Sequence, residues 1–224
     1  MRPRTSVLIS DFDGTITDNE FYALITERHM PRDASDFFGG YLQGRITHFE
    51  ALKSVFAYAP EKEEELARLL EDTKPDPQLA AAVTCLKTNG WDVVVTSAGS
   101  AWYIERILAA AGVDVPVHAS PGRIEKGQGL VMELPYGSPF YSLQNGIDKE
   151  ALVRSTIERS ERVAFAGDGP LDFAPAMLVE PRYRFARRWL ARDLKRKGIP
   201  FHEFQRWSGI ASVLTDGCPE LLGA

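Results

Sequence analysis

An apolar run that ends abruptly in two carboxylates constrains this chain most: residues 7–17 read VLISDFDGTIT. A run this short, closed by turn residues, predicts a buried parallel strand followed by a loop. Side chains two apart on a strand point the same way, so Asp11 and Asp13 should project together beyond the strand's carboxyl end. Gly14 allows the sharp turn that follows. Two like charges held this close need a cation, a proton or both, and Mg²⁺ held by carboxylates and substrate phosphate meets that need.

Two other interpretations of this stretch do not involve catalysis. The strand could end in a solvated acidic turn, or the carboxylates could belong to a calcium loop. A calcium loop needs further oxygen ligands at regular spacing, and after Asp18 and Glu20 the chain offers none.

The residues Asp11 to Thr17 resemble the nucleophile motif Asp-x-Asp-x-Thr of the haloacid dehalogenase superfamily, in its phosphatase branch. This resemblance implies an α/β fold, a Rossmann-like parallel sheet core with an inserted helical cap. It also implies Mg²⁺ dependence and phosphoryl transfer through an aspartyl-phosphate. Asp11 would be the nucleophile, Asp13 the general acid and base, and Gly14 and Thr15 would bind phosphoryl oxygens. The metal would be held by Asp11, the Asp13 carbonyl and a third carboxylate identified below.

Composition sets broad limits. A chain of 224 residues, 44% hydrophobic and 25% charged, can form one good-sized core and a small second lobe. The net charge of -5 argues against nucleic-acid binding, and the lack of an apolar run of 18 residues argues against a membrane span. No signal-like apolar region follows Met1 to Ser6, so a cytoplasmic protein is expected. Cys85 and Cys218 are therefore expected to be free thiols, with a disulfide as the less favoured alternative.

Between residues 18 and 74 the chain is rich in aromatic residues at helical spacing. Helices are predicted from Glu20 to His29, from Thr47 to Tyr58 and from Glu61 to Glu71, the second with a capping box formed by Thr47 and Glu50. We expect residues 18–74 to form the helical cap, and residues 1–17 and 75–224 the Rossmann-like catalytic core.

A second apolar run, Trp91 to Ser100, ends in small polar residues and opens a helix. A hydroxyl and backbone N–H groups at a helix N-terminus suit a phosphoryl oxygen. Ser97 and Ala98 are the predicted phosphate-binding residues, because Thr96 would face the opposite side of the strand. The run resembles the superfamily's second motif, an apolar strand that ends in Ser or Thr.

A lysine stands at the start of a predicted helix near residue 149, where it gains nothing from the helix dipole. That placement favours a lysine aimed at an anion, and the superfamily's third motif is a single Lys in this segment. Lys149 is our candidate. Lys126, in a predicted hairpin, is the competing one, and an exposed surface lysine is the other alternative.

The last acidic strand end spans Arg162 to Asp172 and reads RVAFAGDGPLD. It resembles the superfamily's fourth motif, in the form Gly-Asp-Gly-x-x-Asp of phosphoserine-phosphatase-like members. Asp168 would complete the metal site from a neighbouring strand, and Asp172 would brace the site.

Within the superfamily the chain resembles the phosphoserine-phosphatase-like group. Glu20 matches the acidic cap residue that reads the substrate amino group there, but Lys53 to Phe56 stands where the carboxylate-reading arginine is expected, and Leu171 replaces Asn. The segments Phe185 to Leu190 and Phe56 to Pro60 are most similar to the enol-phosphate phosphatases of methionine salvage.

The expected function is therefore Mg²⁺-dependent hydrolysis of a small phosphorylated metabolite. A phosphotransferase or mutase, a phosphoserine phosphatase and a non-catalytic scaffold stay open, as does the choice between monomer and homodimer.

Overall fold

A computed structural model describes residues 6–215 and residue 218. The predicted catalytic core (1–17 and 75–224) includes residues 1–5, 216, 217 and 219–224. These residues lie outside the described part of the chain. The strands are β1 (Ser6–Ser10), β2 (Trp91–Ser100), β3 (Val117–Ser120), β4 (Gly122–Glu125), β5 (Gly129–Met132), β6 (Tyr141–Ser142), β7 (Gly146–Ile147), β8 (Arg162–Gly167), β9 (Arg184–Ala186) and β10 (His202–Glu203). The α-helices are α1 (Phe21–Arg28), α2 (Phe37–Leu42), α3 (His48–Phe56), α4 (Glu63–Glu71), α5 (Leu79–Thr88), α6 (Ala101–Ala110), α7 (Lys149–Ile157), α8 (Phe173–Leu178), α9 (Arg188–Arg196) and α10 (Gly209–Leu214).

Six strands form one parallel sheet in the order β10-β9-β8-β1-β2-β3. The strand β1 lies near the middle, between β8 and β2. Its residues alternate between two hydrophobic cores: Leu8 packs into one, whereas Val7 and Ile9 pack into the other. Because both faces of the strand are covered, its apolar run is continuous rather than alternating. The predicted Rossmann-like parallel α/β fold is confirmed.

The segment between β1 and β2 is helical, as its aromatic spacing predicts. The structure forms the predicted capping box: the hydroxyl of Thr47 accepts from the N–H of Glu50, and the Glu50 carboxylate accepts from the N–H of Thr47. The outgoing and returning chains meet where Thr17 bridges Pro75 and the N–H of Asp18 donates to the Lys74 carbonyl (3.0 Å). The chain therefore leaves the core before α1 and returns to it after α4 at the same place. The domain boundaries at residues 18 and 74 stay a prediction.

The expectation of free thiols is wrong: Cys85 and Cys218 form a disulfide, with their Cα atoms 6.2 Å apart. The reason is tertiary. Helix α10 packs against α5, which brings the chain that follows α10 to Cys85, and 133 residues separate the two cysteines in sequence. Sequence spacing carries no information about such a contact. None of the helices in the described residues has the length and apolar character that a bilayer crossing requires.

Candidate active site

The site lies at the carboxyl ends of β1, β2 and β8, where these neighbouring parallel strands finish at one edge of the sheet. Asp11 follows β1 directly, and its N–H donates to the carbonyl of Ala166 on β8 (2.9 Å). Asp168 directly follows β8, and Ser97 lies near the carboxyl end of β2. Residues separated by up to about 157 positions in the chain therefore meet at one point, as expected for an open α/β sheet.

Asp11 is almost completely buried and has a partner on each carboxylate oxygen. Its Oδ1 accepts from Nζ of Lys149 (2.6 Å), and its Oδ2 accepts from Oγ1 of Thr15 (3.1 Å). Oγ1 of Thr15 also lies 3.3 Å from Oδ1 of Asp168. These contacts hold Asp11 in one orientation at the end of β1.

Lys149 is the first residue of α7, behind an N-cap in which Asp148 accepts from the N–H of Ala151. Its ammonium group is buried and bridges two carboxylates, Asp11 at 2.6 Å and Asp172 at 2.7 Å. These ion pairs outweigh burial and raise the pKa of Lys149, so the lysine stays charged. Lys126, the competing candidate, is exposed in the turn between β4 and β5. The structure therefore brings Lys149, and not Lys126, to the acidic cluster.

Asp172 fixes the position of Lys149 and of the turn that follows β8. One carboxylate oxygen pairs with Lys149, and the other accepts from the N–H groups of Asp168 (3.0 Å) and Gly169 (2.9 Å). Both oxygens are thus occupied by protein donors. This geometry corresponds to the bracing position predicted for Asp172 and leaves it little capacity as a metal ligand.

Carboxylate oxygens of Asp11, Asp168 and Asp172 lie within 4.8 Å of one another, all three buried. Burial, followed by the charges of neighbouring carboxylates, raises the pKa of Asp11 to about 7 and that of Asp168 to about 9. Such a cluster is unfavourable without a compensating cation. Hard oxygen donors at this spacing fit Mg²⁺, with Asp11 and Asp168 as the candidate ligands, because the oxygens of Asp172 already accept from Lys149 and from two backbone N–H groups.

Gly14 is required by the close approach of this cluster to the loop. Its φ is +74°, and a Cβ placed there would lie 2.3 Å from Oδ2 of Asp168. A side chain at this position would therefore displace the Asp168 carboxylate.

Asp13 lies apart from the acidic cluster and points toward the helical segment. Its Oδ1 accepts from the N–H of Phe21 at the start of α1 (3.0 Å), and its Oδ2 accepts from the hydroxyl of Tyr103 on α6. Burial raises the pKa of Asp13 to about 6, although both hydrogen bonds act in the opposite direction. No role was predicted for Tyr103 from the sequence. The feature that could have indicated one is its position in the first turn of the helix that follows the second motif.

Ser97 lies beside Tyr103 rather than facing away from the site. Its Oγ accepts from the N–H of Gly99 (2.9 Å), and both Ser97 and Ala98 line the cavity above Asp11. Thr96 is buried and does not line that cavity, whereas Ser97 does. The two side chains therefore point to different sides of β2, as predicted.

Two arginines at the start of α9 hydrogen-bond to the segment Thr15 to Asp18, through which the chain passes from β1 to α1. Arg187 donates to Asp18 (3.0 Å) and reaches the Thr15 carbonyl (3.4 Å), and Arg188 donates to the Asp18 carbonyl. The charge of Arg188 also opposes the rise in the pKa of Asp168. The φ of Arg188 is +51°, and no motif in the sequence indicates this conformation.

A cavity of about 150 Å³ opens over these residues. We call its charged floor the sheet-edge side; it comprises Asp11, Asp13, Lys149, Asp168 and Asp172. We call the opposite wall the helical side; it comprises Glu20, Tyr22, Phe38, His48, Leu52 and Phe56. Glu20 is the helical-side residue that the sequence predicted as a substrate-binding residue, and burial, followed by the charge of Glu20, raises the pKa of Tyr22.

Three comparisons bear on this arrangement. The family model of haloacid dehalogenase-like hydrolases matches residues 8–177. The chain is 23% identical over 212 residues to the 2-hydroxy-3-keto-5-methylthiopentenyl-1-phosphate phosphatase of Brevibacillus brevis, covering 93% of this chain and 94% of that one. Among solved structures, substrate-bound phosphoserine phosphatase matches with a TM-score of 0.65 at 16% identity, covering 95% of this chain and 99% of that one. A hydrolase of the same family from Salmonella enterica matches with a TM-score of 0.65 at 18% identity, covering 90% and 67%.

Proposed function

Because this chain belongs to the haloacid dehalogenase-like hydrolase family, we propose that it is a Mg²⁺-dependent phosphomonoesterase that works through an aspartyl-phosphate on Asp11. The observation that carries the proposal is the position of Asp11. Its buried carboxylate lies between a lysine ammonium at 2.6 Å and a second buried carboxylate, at the floor of the cavity. A carboxylate nucleophile for phosphorus needs cationic neighbours of this kind, because an anion must approach a phosphate dianion.

The first step is a displacement at phosphorus. An oxygen of Asp11 forms a bond to the phosphorus atom while the bond from phosphorus to the ester oxygen breaks. Asp13 donates its proton to the departing alkoxide, which leaves as the alcohol. The pKa of about 6 supports this role, because burial keeps more Asp13 protonated near neutral pH than an ordinary carboxylate would be.

The second step releases phosphate and regenerates the protein. Asp13, now ionised, accepts a proton from a water molecule as that water attacks phosphorus, and the bond between phosphorus and Asp11 breaks. The hydrogen bonds from Phe21 and Tyr103 hold Asp13 in place for both transfers. Lys149, held by Asp172, keeps positive charge beside Asp11 throughout.

Mg²⁺ would be held by Asp11, Asp168 and the backbone carbonyl of Asp13. When bound, it supplies charge that stabilises the phosphoryl oxygens and lowers the pKa of its carboxylate ligands. The N–H groups of Gly14 and Thr15, with Ser97 and Ala98, are the proposed partners of the remaining phosphoryl oxygens.

The proposed substrate is a small phosphorylated metabolite. The cavity volume and the single buried lysine support one phosphate and a compact organic group. An enol phosphate of the kind named for the Brevibacillus brevis relative belongs in the first substrate panel, together with phosphoserine.

The test compares Asp11→Asn with Asp92→Asn, which changes an exposed aspartate on the adjacent strand β2. We expect Asp11→Asn to lower the release of inorganic phosphate from p-nitrophenyl phosphate in Mg²⁺ by at least about 10³-fold, because the nucleophile is lost. Asp92→Asn should retain wild-type turnover. Equal turnover of the Asp11→Asn protein, with an unchanged melting temperature, would exclude Asp11 as the nucleophile.

A further inference from the structure

The helical side of the cavity combines apolar residues with three polar ones, Glu20, Tyr22 and His48. Phe38, Leu52 and Phe56 line the same side as His48. The proposed chemistry at the sheet-edge side does not use His48. Polar groups among the apolar side chains of a pocket commonly fix the orientation of a ligand.

The position of His48 is well defined by its neighbours. It is the first residue of α3, directly after the Thr47 capping box. The rings of Phe38 and Tyr41 meet the imidazole edge to face, with centroids 5.9 Å and 5.1 Å away. Two aromatic contacts and a capped helix start therefore restrict the rotation of this side chain.

One nitrogen of His48 lacks a partner. Nδ1 is buried and has no hydrogen bond within the part of the chain that the structure describes. Because Nδ1 is sealed from the cavity, Nε2, which also has no hydrogen bond within the described residues, is the imidazole nitrogen available to a ligand there.

The imidazole is also neutral near pH 7. Burial, and secondly the charge of Lys149, lowers the pKa of His48 to about 4. A neutral imidazole offers one donor and one acceptor, and it cannot neutralise a carboxylate. Of the described residues that line the cavity, Lys149 is the single cationic side chain, and it is engaged with Asp11 and Asp172.

We propose that His48 is a specificity-determining residue that hydrogen-bonds an uncharged oxygen, a hydroxyl or carbonyl, on the organic group of the substrate. This inference rests on the proposed phosphomonoesterase function. It narrows the substrate class to phosphate monoesters whose organic group carries at least one such oxygen.

The experiment measures selectivity between esters that differ by one oxygen. The probes are n-butyl phosphate and its 2-, 3- and 4-hydroxy and 2- and 3-oxo derivatives, assayed with Mg²⁺ by phosphate release. The wild type should prefer at least one oxygen-bearing ester over n-butyl phosphate by about tenfold or more in kcat/KM, because only that ester offers Nε2 of His48 a hydrogen-bond partner. His48→Phe should reduce the ratio to within about twofold, mainly through KM, and His48→Asn should restore part of it.

Tyr41→Phe is the matched control, since Tyr41 contacts the imidazole but does not line the cavity, and it should retain the wild-type ratio. A purely structural role for His48 would lower kcat/KM for all esters together and leave the ratio unchanged in His48→Phe, which would overturn the inference. A wild type without any preference would overturn it as well. If the wild type hydrolyses neither these esters nor p-nitrophenyl phosphate, the proposed function fails and the inference falls with it.

Discussion

The sheet-edge side of the cavity holds charged groups by paired contacts, whereas the helical side presents rings and methyl groups with few polar contacts. On the sheet-edge side, Lys149 and Asp172 have a partner for nearly every polar atom, and both are buried. On the helical side, His48 keeps an unpaired nitrogen and Phe38 is only half-buried. The difference indicates that one side is arranged before substrate binds, and that the other supplies shape and selection.

Tyr103 is where the two sides meet. Its hydroxyl donates to Asp13, while its ring stacks on Phe21 with centroids 4.2 Å apart and meets Phe56 edge to face. The residue that orients the proposed acid and base is therefore packed against the helices that form the opposite wall. Packing on the helical side can therefore influence proton transfer through this ring, as well as through the N–H of Phe21 that donates to Asp13.

The largest expected effect comes from breaking the pairing on the sheet-edge side with Lys149→Met. This change leaves the buried carboxylates of Asp11 and Asp172 without their cation, which should lower the free energy of unfolding of the metal-free protein by about 3–5 kcal/mol. Phosphate release should fall by at least about 10²-fold, because charge stabilisation at phosphorus is lost. Lys126→Met is the matched control and should change stability by no more than about 0.5 kcal/mol. Urea unfolding and steady-state kinetics check both, and equal losses in the two variants would contradict the assignment of Lys149.

A smaller effect is expected at the junction, from Tyr103→Phe. The change removes one donor to Asp13 but keeps the ring contacts, so kcat should fall by about tenfold. The Tyr103 hydrogen bond lowers the pKa of Asp13, and its loss should therefore move the alkaline limb of the kcat profile to higher pH.

The comparison variant for this prediction is Phe38→Leu, which alters only the helical side. It should raise KM by roughly tenfold or less and leave the pH profile in place. A pH profile that moves in Phe38→Leu but not in Tyr103→Phe would show that the two sides are not divided as described.

The last comparison varies pH instead of a residue and concerns the stability of the metal-free protein. The pKa values of Asp11 (about 7), Asp13 (about 6) and Asp168 (about 9) are raised above the ordinary 3.8, so the folded state binds more protons than the unfolded state between pH 4 and 9. Stability should therefore fall as pH rises through this range, lowering the melting temperature by several degrees between pH 5.5 and 8.5 in EDTA.

Mg²⁺ should restore more of the melting temperature at pH 8.5 than at pH 5.5, because it binds the ionised carboxylates. Asp168→Asn is the control and should flatten both dependences, since it removes the group with the highest pKa. A melting temperature that rises with pH in EDTA would argue against an uncompensated acidic cluster.

Much of the sheet-edge side could be predicted because its residues follow local rules. The run before Asp11 is a buried strand with both faces covered, and Asp168 and Ser97 follow strands of the same sheet. Lys149 was predicted from its unfavourable place at a helix start, which the two ion pairs of the structure explain. The capping box of α3 was likewise readable, since it depends on two residues three apart.

Other residues at or near the site were not predictable in the same way. Tyr103, His48 and Arg188 reach the site through packing between elements far apart in sequence, and each would read as an ordinary helix residue alone. The disulfide between Cys85 and Cys218 is the same kind of case, and there the sequence favoured the wrong alternative.

The amino-acid sequence alone determined the strand ends, their acidic residues and the order of the elements, because these depend on hydrophobic periodicity and on residues a few positions apart. Only the tertiary structure decided which side chains face the cavity from α1, α3 and α6, and which cysteines meet. Those contacts join residues about 50 to 130 positions apart, and their geometry follows from how whole helices pack on the sheet rather than from any local pattern.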